Sequence, residues 1–227
     1  MGALRHIIPI FLGFTFPAYF VSGWLGGAEA SLRAAEPGAT NVAVASMAEE
    51  GYCTANLKQI VRRVAGACGL LDAQGRGCQP ADAAKLVALS GDDFNAMFLP
   101  MKERVHIIQF DKKSVDLDEG GRAAIETAWS ARGGASFFFV VSRASPEGSV
   151  ESNQELSNGR AQAVLAHLEA TYQDPDIKKR VGLLQLGEEF AQLSTDFCQW
   201  QRSRGGDECD EMQINRSAII AWIDCAI

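Results

Sequence analysis

The sequence predicts an α+β domain: strands and helices alternate as β-α-β-α-β-α-β, with the helices packed on one face of a four-stranded sheet. Three observations predict it. Short apolar or alternating runs recur along residues 104–227, apolar stripes at helical spacing lie between them, and glycine or capping signals mark the junctions.

Arg104 to Asp111 alternates, with Val105, Ile107 and Gln109 on one side and His106, Ile108 and Phe110 on the other, the mark of a strand. Leu117, Gly121, Ile125, Ala128 and Trp129 follow at helical spacing and stop at Gly133-Gly134. Phe137 to Val141 is uninterrupted and apolar, as a strand covered on both faces should be. Ser152 and Glu155 form a capping-box pattern that opens a helix, whose buried stripe is Leu156, Ala161, Val164, Leu165, Leu168 and Tyr172. Val181 to Leu186 reads as the third strand, Phe190 to Trp200 as a helix and Ile214 to Ile223 as the last strand.

Upstream, residues 53–103 read as a small helical, disulfide-tied region. Leu57, Ile60, Val61, Val64, Ala65 and Cys68 form one helical stripe, with Lys58, Arg62 and Arg63 off it. A second short helix is predicted over Ala81 to Leu89, opened by Pro80. Residues 31–52 are small and polar, a flexible lead-in.

Residues 1–30 read as a signal peptide. Arg5 gives a positive start, Ile7 to Leu25 carries no charge, and Ala28-Glu29-Ala30 offers a cleavage pattern that leaves Ser31 first. A retained membrane anchor is the competing reading, since this apolar run is long enough to span. Either way the remainder is placed outside the cytoplasm. The periplasm, with possible outer-membrane association, is the expected location. Six cysteines in an exported chain read as bridges. Cys198 with Cys209 and Cys68 with Cys78 each close a short loop, which leaves Cys53 for Cys225; fifteen connectivities are open in principle.

The net charge of -7 is evenly spread, which argues against nucleic acid as a partner. No Cys-x-x-Cys, Gly-x-Ser-x-Gly, Walker loop or His-Glu-x-x-His occurs. No enzymatic activity, cofactor or metal site is expected.

One stretch is more specific. Gly148-x4-Asn153-x2-Leu156-Ser157-x2-Arg160-Ala161-x2-Val164-x3-Leu168 resembles the gapless pattern of the OmpA-like peptidoglycan-binding domain family. Ile108-x-Phe110-Asp111 before a helix, Gly187-Glu188 after the third strand and Asn215-Arg216 at the last strand resemble it too. The resemblance covers residues 104–227 and leaves 31–103 unmatched. It implies non-covalent binding of the diaminopimelate of the peptidoglycan stem peptide, with Arg160 on the ligand's carboxylate, where a planar guanidinium fits two oxygens. Asn153, Gly148 and Ser145 would shape the pocket. Arg216 would touch the ligand or only cover the sheet edge. From spacing alone, Arg160 reads as a solvated residue on the helix's polar face or an internal loop clamp.

In that family an Asp stands three residues before the motif glycine and pairs with the ligand's ammonium. Ser145 stands there here. Loss of a charge-assisted contact should cost roughly 1.5–3 kcal/mol. Two functions follow as expectations. One is a non-catalytic envelope protein that binds peptidoglycan. The other is a structural subunit of an envelope-spanning secretion or conjugation complex, partnered by other envelope proteins, whose OmpA-like fold has lost the ligand.

Overall fold

The computed structural model describes residues 51–67, 70–71, 81–82, 90–135 and 137–225, all within one folded unit. The proposed signal peptide, almost all of the lead-in and the Cys68–Cys78 pair lie outside the described residues.

Residues 105–223 build the sheet and its main helices. Strand β2 (Val105–Gln109), helix α3 (Glu119–Ala131), strand β3 (Phe137–Ser142), helix α4 (Val150–Tyr172), the single turn α5 (Ile177–Arg180), strand β4 (Val181–Gln185), helix α6 (Glu211–Asn215) and strand β5 (Ser217–Ile223) follow in order. Helix α1 (Ala55–Ala67), strand β1 (Ala81–Asp82) and helix α2 (Gly91–Ala96) precede them. The sheet order is β1-β4-β3-β5-β2. β3 runs parallel to β4 and antiparallel to β5, and β5 runs antiparallel to β2, so this is a mixed sheet of an α+β domain.

Register fixes what each face carries. Phe138 lies opposite Trp222 and Val140 opposite Ile220, and these share a face with Leu183 and Ile108. α3 covers that face, with the Trp129 ring 5.0 Å from Phe138, edge to face. α4 lies beside α3, joined through Trp129 and Tyr172 and through the 3.0 Å His167–Glu126 contact.

Phe139, Val141, Leu184 and Ile223 point the other way. Against them pack Leu57, Ile60, Val61 and Val64 of α1 with Phe94 of α2 and Phe98 just beyond it. The helical residues of 53–103 therefore share one hydrophobic core with the sheet. Burial on both faces explains why β3 and β5 are apolar at nearly every position.

Several local predictions change. Ala81–Asp82, the first two residues of the helix predicted over Ala81 to Leu89, pair with Leu184–Gln185 as an edge strand; the remainder, residues 83–89, lies outside the described residues. α4 begins earlier than the Ser152 capping box would place it. Ser149 is the cap and accepts from Ser152 N at 3.2 Å. The capping box that does form joins Asp210 and Gln213 at α6. Phe190 to Trp200 is irregular, with Ala191 in the left-handed region at φ 54° and a 3-10 turn at Thr195–Gln199, and the Asn215 side chain holds the Leu193 backbone on both its N–H and its carbonyl. Ile214 belongs to α6, and the last strand begins at Ser217.

Cys53 bonds Cys225 and Cys198 bonds Cys209. The first bridge ties the entry to α1 to the end of β5. Beside it, Tyr52 donates to the Asp224 carboxylate, which also receives Arg104 Nη1 at 2.9 Å. Burial first, then the hydrogen bond to Asp224, pushes the Tyr52 hydroxyl up to about 12.

Candidate ligand site

The motif loop joins the C-terminal end of β3 to α4. Ser142 is fully buried and its hydroxyl donates to Leu184 O, which fixes the start of the loop against β4. Arg143 continues the alternation of β3 and turns into the face covered by α1 and α2. Its Nε donates to Ala191 O at 2.7 Å and its Nη2 to Asn95 Oδ1 at 2.8 Å. Nη1 has no partner among the described residues. Burial without a carboxylate nearby pushes this guanidinium down to about 9, the mark of a costly desolvated charge. Arg143 therefore does not face the loop's outer side.

Arg160 lies in the third turn of α4 and is 1 % exposed. Its Nη1 donates to Arg143 O at 2.7 Å, its Nε to Ser114 O at 3.1 Å and its Nη2 to Asp111 O at 3.3 Å, while the guanidinium sits 5.3 Å from the Phe110 ring centre. Three segments are pinned by one side chain. That is the loop-clamp arrangement, and burial lowers its pKa to about 10, with Arg216 nearby adding to the shift.

The outer mouth is organised around Glu147. Lys112 Nζ donates to Oε1 at 2.5 Å, Arg216 Nη2 to Oε2 at 2.6 Å and Ser145 Oγ to Oε2 at 3.1 Å. Arg216 Nε also donates to Ser145 Oγ at 3.4 Å. Hydrogen bonds from Lys112 and then Arg216 hold the Glu147 carboxyl down at about 2. Ser145 and Arg216, far apart in sequence, are thus brought together. Glu147, the acid one residue before the motif glycine, is the group these donors share.

Asn153 is buried and donates through Nδ2 to Glu188, so it braces the loop against the turn after β4. Gly148 has φ +123° and Gly187 φ +62°. At Gly187 the left-handed backbone favours glycine, whereas the atom nearest to a Cβ, Gln154 Oε1 at 2.3 Å, is the end of a flexible side chain that can turn away. Behind Arg216 a polar cavity of about 150 Å³ opens between Gln109, Asp111, Arg204 and Gln213. Its outer wall is the loop closed by Cys198–Cys209, where Arg204 pairs with Asp111 and Asp118 at 2.8 and 2.7 Å. No group of His, Cys, Asp and Glu suited to a metal ion occurs among the described residues.

No protein-family model matches this chain, and no curated protein matches it. Solved structures are similar to it. The peptidoglycan-associated lipoprotein from Burkholderia pseudomallei matches at 19% identity and TM-score 0.39, over 51% of this chain and 88% of that one. The OmpA-like domain of FopA1 from Francisella tularensis matches at 18% identity and TM-score 0.38, over 53% of this chain and 72% of that one. The α+β class stands on the chain's own strand order and register.

Proposed function

We propose that this chain is a non-catalytic protein of the bacterial envelope whose OmpA-like domain contacts the peptidoglycan stem peptide at the β3–α4 loop. One observation carries the reading. The gapless motif around Gly148 and Arg160 lies where a lysine, an arginine and a serine converge on a carboxylate at the protein surface. A ligand carboxylate needs such charge-assisted donors. In this reading the roles differ from a direct grip by Arg160. Arg160 is a positioning residue that holds the Asp111, Ser114 and Arg143 backbone, Asn153 braces the loop, and Arg216 meets the ligand. Export to the periplasm with residues 1–30 removed belongs to the same proposal.

A second reading has its own support. Arg160 is taken up by three internal carbonyls, and Ser145 gives no charge to an ammonium. Both suit a structural subunit of an envelope-spanning complex that keeps the fold without the ligand.

Co-sedimentation with purified sacculi tests the two, with thermal melting recorded for each protein. Wall contact predicts saturable binding that Arg216→Ala weakens about tenfold or more with little change in melting. Arg160→Ala should lower the melting temperature, since it strands three carbonyls. No binding by the wild type would reject wall contact, and the protein should then co-purify in a large assembly.

A further inference from the structure

We infer that Lys112, Ser145 and Arg216 form a carboxylate receptor which this chain plugs with its own Glu147, and that a small carboxylate-bearing ligand binds by displacing that side chain. The inference deepens the reading above and rests on it for the identity of the natural ligand, though not for the receptor itself.

The geometry is that of a recognition site already filled. Two cationic groups and a hydroxyl reach both oxygens of one carboxylate, at 2.5, 2.6 and 3.1 Å. Such a convergence is a high-affinity arrangement for any carboxylate, internal or external. The Arg216 side chain is 18% exposed and the Glu147 side chain 26%, so the pair lies partly buried at the protein surface. Glu147 sits on the short connection between β3 and α4. Pro146 precedes it and Gly148 follows, with φ +123° and nothing nearer than 4.0 Å to the position a Cβ would take. The glycine is therefore kept for its backbone conformation and not for close packing.

Behind Arg216 lies the cavity of about 150 Å³. Arg216 is the residue this cavity shares with the receptor, and its other walls carry Arg204 beside Asp111, Asp207 and Glu208, a mixed-charge lining. Arg160 cannot serve as the receptor without giving up its carbonyls, which makes Arg216 the accessible guanidinium of the pair. Ligand binding then carries the cost of expelling Glu147, and wild-type affinity is held below what the donors alone would give.

The test is titration of the purified chain with meso-diaminopimelate, followed by amide chemical shifts, in wild type, Glu147→Ala and Glu147→Ala/Arg216→Ala. Glu147→Gln is a second variant that keeps the side-chain volume. Removal of the plug should tighten binding about ten- to a hundredfold, and loss of Arg216 should cancel the gain. Affinity no higher in Glu147→Ala and Glu147→Gln than in wild type overturns the inference. So does a gain that survives Arg216→Ala. Sacculus binding separates the two claims. Arg216-dependent tightening for the free amino acid without sacculus binding keeps the receptor and rejects the wall as its ligand's source. Sacculus binding by wild type that Glu147→Ala does not strengthen keeps wall contact and rejects the plug.

Discussion

The two faces of the sheet are held by different forces. On the face carrying Phe138, Val140, Leu183 and Ile220, α3 and α4 pack through apolar side chains, and polar burial is concentrated at the motif residues Asn153, Ser157 and Arg160. On the opposite face, α1 and α2 also bury a continuous apolar stripe, but point fasteners are added: the Cys53–Cys225 bridge, Tyr52 and Arg104 on Asp224, and the fully buried Arg143 bonded to Asn95. The fasteners join residues remote in sequence. A short apolar helix packed on a flat sheet can slide or rotate at little energetic cost, because the hydrophobic effect is non-directional. Hydrogen bonds and a disulfide have defined geometry, so they set the position of the N-terminal cover.

The largest expected effect comes from the bridge. Cys53→Ser with Cys225→Ser frees a closure of 172 residues and should cost about 2–5 kcal/mol, read as a fall in melting temperature. Unchanged melting would mean that apolar packing alone holds the cover and the two faces do not differ. Next is Asn95→Ala. It leaves Arg143 Nη2 without its acceptor inside the core and should cost about 1–3 kcal/mol in denaturant unfolding. Arg143→Met in the same background tests whether the cost is that of a stranded charge: stability should partly return, since an apolar replacement removes the buried cation.

The smallest effect separates the motif loop from both faces. The folded-state pKa of Glu147, about 2, is below its ordinary 4.5. Its contribution to stability is therefore complete above about pH 4.5 and is lost as pH falls toward 2. Melting curves between pH 6 and 2.5 should show that loss in wild type and a shallower slope in Glu147→Gln. Equal slopes would mean that the Lys112 and Arg216 contacts contribute nothing in solution, as many exposed ion pairs do.

The four strands β2 to β5 and the helices α1, α3 and α4 were legible because their burial writes a period into the chain. Phe137–Ser142 is apolar throughout and lies between covered faces. Elements shorter than two helical turns were not legible. Phe190 to Trp200 has helical spacing, yet its backbone is diverted by Asn215, which both accepts from and donates to Leu193. Ser152 with Glu155 is the stronger sequence signal, yet Ser149 caps α4, because the path of the preceding loop decides where the helix begins.

Arg160 marks the same limit at the site. The motif fixed its position on α4 but left open a ligand clamp, a solvated residue or an internal clamp, because a guanidinium serves any ring of oxygens at the right spacing. Proximity to Asp111, Ser114 and Arg143 carbonyls decided for the internal one. By itself the sequence determined the α+β class, the principal strands, the helical stripe of α1 and the motif's place at a helix start. Only the tertiary structure decided that α1 completes the core, that Arg143 turns inward to Asn95, and that Glu147 fills the cradle of Lys112, Ser145 and Arg216. The division is physical: burial and periodicity are properties of neighbours along the chain, whereas the partner of a charge is set by which distant segments the fold brings within about 3 Å.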